Sequence, residues 1–340
     1  MPLSVLDLAT VSEGRTSSQA LADTTRYAQR ADELGYLRFW VAEHHNMPTV
    51  ASTNPPVLIA HLAASTQRIK VGSGGVMLPN HAPLVVAEQF ALLEALHPGR
   101  IDLGIGRAPG TDGATAAALR RSPDALGAED FPQHLIDVMG LLGDRRSNGG
   151  LWTRFAATPV PTSSPEILLL GSSDFSAQLA GMLGLPFAFA HHFDMGGTLE
   201  AVTVYQRHFQ PSAVLEKPYT IVSASVIADE DSERAHWLAN PGQLRRYGMR
   251  TGRLYPLYHP DEASRHPEME VANAMRSYRI VGTPEQVVAG LGNLAAATNA
   301  NEIMLHTATF DLEDRIRSLE LVQQAWAVPP DTPDTTDTTG

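Results

Sequence analysis

The sequence predicts a closed (β/α)8 barrel, and two observations support that fold class. Short apolar segments rich in β-branched residues alternate along the 340-residue chain with longer segments of helical period, which is typical of parallel strands joined by helices. Eight such strands in one continuous chain favour a closed barrel over an open sheet. We expect a single domain over 1–328, with strands at 3–9, 37–42, 69–77, 101–106, 166–171, 187–193, 219–227 and 302–308.

The segments between the strands predict helices and two insertions. The first, SQALADTTRYAQRADELG, places small and apolar residues on one helical face and ends at Gly35, a typical helix stop. The segments after the fourth and seventh strands, at about 107–165 and 229–283, exceed one crossover helix, so we predict insertions there. The tail at 329–340 is rich in Pro, Thr and Asp, and we expect it to be disordered.

Composition disfavours several classes of function. A formal net charge of −12, without a run of Lys or Arg, disfavours binding to nucleic acid or anionic lipid. The chain has no cysteine, which excludes disulfides, thiolate catalysis and zinc–thiolate sites. The N-terminal segment lacks the basic and apolar regions of a signal peptide, and no segment approaches the roughly 20 apolar residues of a membrane span. We therefore expect a soluble cytoplasmic protein.

Polar clusters follow four of the predicted strands. His44 and His45 follow the second strand, GRAPGTD follows the fourth, GSSDFS follows the fifth, and HHFD ends the sixth. In (β/α)8 barrels the loops that follow the strands build the active site at one face. We therefore expect these four clusters to converge on one mouth.

The adjacent histidines are candidates for proton transfer. An imidazole with an ordinary pKa near 6.5 can exchange a proton near neutral pH, although such a histidine can also merely fix a loop. We predict no metal site, because the pairs His44/His45 and His191/His192 are immediate neighbours and would point to opposite sides of a strand. Schiff-base chemistry is disfavoured because the chain has few lysines and Lys70 stands at the wrong end of its strand.

Arg107 and a group of serines predict a phosphate site. The stretch GIGRAPG matches neither a dinucleotide-binding fingerprint nor a P-loop, and a simple turn would also explain it. Arg107 nevertheless follows a strand directly, where a guanidinium can bind phosphate through two hydrogen bonds. Ser172, Ser173 and Ser176 stand at the start of a helix, whose free N–H groups and dipole favour an anion. Helix capping by these serines is compatible with phosphate binding.

The strand segment VGSGGVMLPNHAP contains three glycines. Glycine weakens a strand, so such a group marks either a β-bulge or the close approach of another group to the backbone. Both interpretations stay open from the residues alone.

Four stretches together resemble the bacterial-luciferase-like flavin-dependent monooxygenases. They are LGYLRFWVAEHHN, IKVGSGGVMLPNHAPLVVAEQFALLEALHPGRIDLGIGRAPG, LLLGSSDFSAQLAGMLGLPFAFAHHF and VGTPEQV, in family order from about residue 3 to about 325. The resemblance implies a (β/α)8 barrel, usually a homodimer, that binds FMN. It also implies that a separate flavin reductase supplies reduced FMN, which reacts with dioxygen to give a C4a-peroxyflavin that oxidises a small organic substrate.

The resemblance assigns roles to individual residues. His44 would be catalytic and His45 would orient the loop. A non-proline cis peptide would lie at Gly74–Gly75, beneath the flavin ring. Some members carry an acidic residue where Ser172 stands, which is a departure from their pattern. The FMN-binding residues would be Gly74, Gly75, Arg107, Ser172, Ser173 and Ser176, with the arginine and serines on the phosphate.

The organic substrate would lie over the flavin and be covered by segment 240–275. We expect FMN in preference to FAD, because one terminal phosphate is provided for and nothing resembles an adenine site. Two alternatives remain: an F420-dependent oxidoreductase that transfers hydride without oxygen, and a non-catalytic flavin-binding protein. The predicted substrate pocket consists of Leu6, Trp40, Met77, His191 and His192.

Overall fold

Parallel strands form a closed ring, as the alternation of apolar and helical segments predicts. The computed structural model describes residues 1–108, 111, 113–120, 130–146, 149–193 and 195–327. The strands are β1 (Leu3–Asp7), β2 (Arg38–Val41), β3 (Lys70–Ser73), β4 (Val76–Met77), β5 (Ile101–Gly106), β6 (Glu166–Gly171), β7 (Phe187–Phe189), β8 (Thr220–Ala228), β9 (Ile280–Gly282) and β10 (Glu302–His306).

The ring runs β1–β2–β3–β5–β6–β7–β8–β10 and closes where β10 pairs with β1. Strand β4 continues β3 beyond Gly74–Gly75 and pairs with β5, while β9 lies outside the ring beside the end of β8. The predicted (β/α)8 barrel is therefore confirmed. One boundary was wrong: the strand predicted at 187–193 ends at Phe189, and residues 191–193 form a 3-10 turn.

Helices follow the strands, and local sequence signals mark where they begin and end. Thr16 and Gln19 form a capping box before the first helix, and Gly35 ends it with φ of 80°. Thr283 and Gln286 form a second capping box. The helices are α1 (Ser17–Leu34), α2 (Pro55–Ser65), α3 (Pro83–Leu96), α4 (Gly113–Arg120), α5 (Phe131–Leu141), α6 (Asp174–Met182), α7 (Thr198–His208), α8 (Ser232–Arg250), α9 (Pro260–Arg265), α10 (Met269–Ala274), α11 (Pro284–Thr298) and α12 (Leu312–Ala327).

The two longer connections contain extra elements. Helices α4 and α5 lie between β5 and β6, and α8, α9, α10 and β9 precede the crossover helix α11 between β8 and β10. The disorder predicted for 329–340 falls outside the described residues. Within the described chain, none of the helices combines the length and apolar character needed to cross a membrane.

Alternation along the strands separates two apolar layers. Residues such as Val5 and Phe39 pack against helix residues, including Tyr27, in the outer layer. Their strand neighbours point inward and fill the barrel. The inner layer consists of Leu6, Trp40, Leu168, Ala188, Ile221 and Met304.

Charged side chains occupy the end of the barrel where the strands begin. Arg38 Nη1 lies 2.9 Å from Asp102 Oδ2, Arg38 Nε lies 2.9 Å from Glu302, and Lys70 lies 2.6 Å from Glu166. Burial raises the pKa of Asp102 to about 6, although Arg38 opposes that shift. This ionic network is at the opposite end from the loops that carry the candidate site.

Candidate active site

One cavity of about 340 Å³ opens among the carboxyl ends of the strands. Its volume falls within the roughly 300–1,000 Å³ typical of small-molecule sites. Its base is the inner apolar layer, including Ile221 and Met304, and its walls come from the loops after β2, β5 and β6. The predicted site residues that line it are Leu6, Trp40, His44, Gly74, Gly75, Met77, Arg107, Ser172, Ser173, Ser176 and His192.

Two predicted contributors to the substrate pocket do not line this cavity. His191 does not line the cavity, because the chain leaves β7 at Phe189 and the 3-10 turn brings His191 Nδ1 to 2.7 Å from Thr198 Oγ1. Its ring packs against Tyr278, with centroids 5.6 Å apart. Segment 240–275, which is described throughout, contributes no lining residue either. It approaches the mouth from one side, where Arg245 contacts the loops after β1 and β2.

Arg107 and the start of α6 form a polar end of the cavity. Arg107 directly follows β5, and its guanidinium carbon lies 4.3 Å from the ring centroid of Phe175. Ser173 is the N-cap residue of α6, but its hydroxyl makes no capping hydrogen bond. Ser176 is buried and packs so closely on Gly171 that a Cβ there would lie 2.8 Å from Ser176 Oγ. Donors therefore converge here as predicted, although exposed Asp174 also stands in the first turn.

The peptide bond between Gly74 and Gly75 is cis, as the resemblance implies. Packing within the barrel leaves little room for a side chain at either position, and least at Gly75, where the nearest neighbour is backbone. A Cβ on Gly74 would lie 2.8 Å from Leu6 Cδ1, and one on Gly75 would lie 2.8 Å from the carbonyl oxygen of Gly104. Both glycines also line the cavity, so this stretch of backbone is part of its wall.

His44 lies in the loop after β2 and is held there by its backbone. Its N–H donates to the carbonyl of Ser52 at 3.1 Å. Its Nδ1 atom is buried and has no hydrogen-bond partner among the described residues. Burial lowers the pKa of His44, Arg245 lowers it further, and Glu43 opposes the shift. The imidazole is therefore mostly neutral at neutral pH, and His44 lines the cavity.

The carboxylate of Glu43 fixes the same loop through hydrogen bonds. Its Oε1 atom lies 2.8 Å from both His45 Nε2 and His81 Nε2, and Asn80 also donates to it. Burial alone would raise the pKa of Glu43, but hydrogen bonds from His81, His45 and the backbone of Met77 keep it below its usual range. Glu43, His45 and His81 bring three possible metal ligands within 4.8 Å, so the absence of a metal stays a prediction.

His192 also lines the cavity, and the ring of His306 lies next to it. Ser223 Oγ donates to the carbonyl of Phe189 at 3.1 Å, so it accepts from His192 Nδ1 at 2.6 Å, and this network leaves His192 Nε2 as an acceptor. The His306 ring lies 5.3 Å from that of His192. Burial lowers the pKa of His192 well below its usual range and that of His306 to about 4.

Sequence reasoning missed three of these residues. His306 is the last residue of β10, so the rule that active sites collect at strand ends could have found it. Ser223 lies inside β8, and Arg245 reaches the mouth from α8. Nothing in the sequence marks either of them.

The barrel and the polar mouth at its carboxyl end define a (β/α)8 enzyme. The family model for luciferase-like monooxygenases matches residues 1–301. An uncharacterised Bacillus subtilis protein, YvbT, is 44% identical over 328 residues, covering 95% of this chain and 96% of the relative. A luciferase-like monooxygenase of Escherichia coli is 42% identical over 324 residues, covering 94% and 95%. The crystal structure of apo-MsnO8 matches with a TM-score of 0.87 and 36% identity, covering 97% and 98%.

The chain belongs to the luciferase-like monooxygenase family, and it is an enzyme of that class.

Proposed function

We propose that the chain is an FMN-dependent monooxygenase that uses reduced FMN and dioxygen to oxidise a small organic substrate. One observation carries the proposal: a single cavity is lined by Arg107 and the serines of α6 at one end and by the neutral imidazoles of His44 and His192 at the other. The first group suits an anionic phosphate and the second suits proton transfer.

The residues present fit FMN. The start of α6 offers backbone N–H groups that no serine side chain caps, and Arg107 adds a charged donor beside them. These groups would hold one terminal phosphate. The Gly74–Gly75 backbone and Trp40 would form the walls of the space next to it. Bound reduced FMN would supply the electrons that activate dioxygen.

His44 would act on the proton at the reacting atoms. The residue lines the cavity, and the lowered pKa keeps its ring neutral and so available as a base. His192 Nε2 would accept a second hydrogen bond from a ligand, because its Nδ1 is engaged by Ser223. The side chains of Leu6, Trp40 and Met77 would keep bulk water away from this region.

Reduced FMN would come from a separate flavin reductase. The stretch GIGRAPG does not match a dinucleotide-binding fingerprint, so it gives no support for a nicotinamide site by which the chain could reduce FMN itself. We expect the reductase to meet this enzyme only transiently.

We also propose a homodimer, formed through the exposed faces of α2 and α3. Val57 on α2 and Val85, Leu92 and Leu96 on α3 are all large, aliphatic and exposed. The spacings of seven and four on α3 place its three residues on one helical face. A second copy would bury this surface.

Titration with FMN, FAD and F420 tests the cofactor assignment. We expect FMN to bind at least about tenfold more tightly than FAD, because the phosphate site provides for one terminal monoester. Equal binding of FAD would contradict the phosphate assignment. Preference for F420, with its reduction in the absence of oxygen, would favour the hydride-transfer alternative.

Turnover separates an enzyme from a flavin-binding protein. The protein is mixed with anaerobically reduced FMN and then with dioxygen, and reoxidation of the flavin is followed by absorbance. We expect the bound flavin to reoxidise at a rate different from that of free reduced FMN. Identical rates and peroxide yields would support the non-catalytic alternative.

A further inference from the structure

Arg245 on α8 is a guanidinium without a carboxylate partner in the described part of the chain. Its Nη1 and Nη2 atoms contact the hydroxyls of Thr10 and Thr49 at 3.3 and 3.4 Å, which is long for hydrogen bonds. Burial alone lowers the pKa of Arg245 to about 10. A desolvated cation without a counter-ion is costly, so this arrangement requires an explanation.

Two buried arginines of the barrel have carboxylate partners. Arg38 lies 2.9 Å from Asp102, and Arg315 lies 2.8 Å from Asp7. Arg279 has no carboxylate contact among the described residues, but its Nη1 donates to the carbonyl of Ala239 at 2.9 Å. Arg245 differs from all three because its described contacts are two long hydroxyl contacts at the mouth of the barrel.

The position of Arg245 relates it to the proposed active site. Thr10 follows β1, Thr49 lies in the loop after β2, and His306 ends β10. Arg245 lowers the pKa of both His44 and His306, so its positive charge acts on histidines at the mouth of the barrel. In the closed ring, β10, β1 and β2 lie opposite β5 and β6. Arg245 therefore faces the mouth from the side opposite the candidate phosphate site.

A small space lies beside this guanidinium. A cavity of about 10 Å³ is lined by Thr49, Arg245 and Met47, among others, and it belongs to the same loop that carries His44. Such a volume accommodates roughly one water molecule or one oxygen atom. Its lining residues differ from those of the larger cavity, but the loop after β2 contributes to both, with Thr49 at the small space and His44 at the larger cavity.

We propose that Arg245 binds the carboxylate of the organic substrate, so that the substrate class is small monocarboxylates with an apolar body. The proposal rests on the proposed function, since it names the substrate of that same site. One carboxylate oxygen would occupy the space beside Thr49, and the guanidinium would gain the charged partner that the fold does not supply. The apolar body would extend over the inner layer toward His44 and the flavin. Arg107 is left for the cofactor.

Benzoate and benzamide are the probes, because they share shape and differ in charge. Thermal unfolding of the FMN-loaded protein is measured with each compound, and dissociation constants are obtained from the shift in Tm. We expect benzoate to stabilise the protein and benzamide to bind about tenfold more weakly or worse. In Arg245→Gln the affinity for benzoate should fall about 10- to 100-fold, while benzamide changes little.

Arg279→Gln is the matched control, since burial lowers the pKa of Arg279 to about 10 as well and it lies on the same side of the barrel. It should keep the preference for benzoate. Arg245→Lys retains the charge without the planar fork and should keep part of the preference, which guards against misfolding of the first variant. Equal binding of the two probes to the unmodified protein would overturn the proposal, whatever the variants do. So would undiminished benzoate binding in Arg245→Gln.

FMN binding is measured separately in the same samples. A protein that binds FMN but does not prefer benzoate contradicts only the role of Arg245. A protein that fails to bind FMN contradicts the proposed function, and the probes are then compared on the flavin-free protein, where the Arg245→Gln effect still decides whether the carboxylate site exists.

Discussion

Glu43 Oε2 accepts a hydrogen bond of 3.0 Å from the backbone N–H of Met77, which connects the end of β2 to β4. The other oxygen of the same carboxylate contacts His45 and His81. Because His44 is the next residue along the chain, this carboxylate fixes both the histidine loop and the strand that follows Gly74–Gly75. Glu43 is thus a positioning residue for two walls of the cavity.

Replacing Glu43 with Gln should destabilise the protein by about 1–3 kcal/mol, because an amide N–H would meet donors where the carboxylate now accepts. The pKa of Glu43 is lowered in the folded protein, so its contribution is present above the ordinary carboxyl pKa of about 4.3 and is lost as pH falls through the folded value. Urea unfolding measures the difference in free energy of unfolding between Glu43→Gln and the unmodified protein. This difference should therefore be smaller at about pH 4 than at about pH 7.

Glu216→Gln serves as the control for Glu43, since Glu216 is exposed. We expect it to change the free energy of unfolding by less than about 0.5 kcal/mol. Equal stability of Glu43→Gln and the unmodified protein would show that the carboxylate contacts make no net contribution to the free energy of unfolding.

Replacing Arg107 with Ala should weaken FMN binding by about 1.5–3 kcal/mol, or about 10- to 100-fold, because one charged donor to the phosphate is lost. Flavin fluorescence titration measures this. Arg154→Ala is a matched control, because the Arg154 guanidinium also lies over a neighbouring ring, 5.6 Å from the centroid of Phe155. Unchanged FMN affinity in Arg107→Ala would move the phosphate site elsewhere.

Much of the fold could be predicted from the sequence because its signals are local. A buried parallel strand is a short apolar run, and the helices begin at capping residues such as Thr16 and Thr283, which can be read without knowing the tertiary contacts. The strand-end rule then brought Arg107 and His44 to one mouth, as the lining of the cavity bears out.

The rest depends on contacts between distant parts of the chain. The apolar run FAFAHHF does not reveal that regular pairing stops at Phe189, so the sequence could not show that His191 lies outside the cavity lining. Arg245 meets Thr10 across 235 positions, and no local pattern predicts that contact. The sequence left open why glycines stand at 74 and 75, and the contacts that their missing Cβ atoms would make, with Leu6 and the backbone of Gly104, depend on distant parts of the chain.

Replacing Leu92 with Glu should separate a dimer into monomers. Leu92 is 49% exposed on α3, and a carboxylate there would be buried without a partner if the α2–α3 faces of two copies pack together. Light scattering after size exclusion should give a mass near 36.6 kDa for the variant and about twice that for the unmodified protein. Val214→Glu, at an exposed apolar residue away from these helices, should remain dimeric. A monomeric unmodified protein would contradict the dimer.

Replacing His306 with Asn should reduce the loss of stability in acid. Burial, together with Arg245 and Arg315 and against the opposing effect of Asp7, lowers the pKa of His306 to about 4. A neutral buried imidazole resists protonation, so stability falls as pH drops below the unfolded pKa of about 6.5 toward the folded value. The resulting loss in the free energy of unfolding amounts to about 3 kcal/mol at about pH 4. Urea unfolding should show a shallower decline between about pH 7 and about pH 4 in the variant, and an unchanged decline would assign the acid sensitivity to other groups.

Replacing His44 with Ala should leave the barrel folded and FMN bound, because the side chain lies in a loop beyond β2 and contacts no described partner through Nδ1. Loss of one acid–base group should lower turnover by about 10²–10⁴-fold. Without a substrate, stopped-flow absorbance should show that reduced FMN returns to its oxidised form faster than in the unmodified protein, with more hydrogen peroxide released.

His45→Ala is the internal control: His45 contacts Glu43, so its loss should lower stability more than it changes the flavin kinetics. If only the His45 variant altered the kinetics, the two roles would be exchanged. If neither did, both strand-end histidines would be structural, and the proton transfer would have to be assigned to His192 or His306.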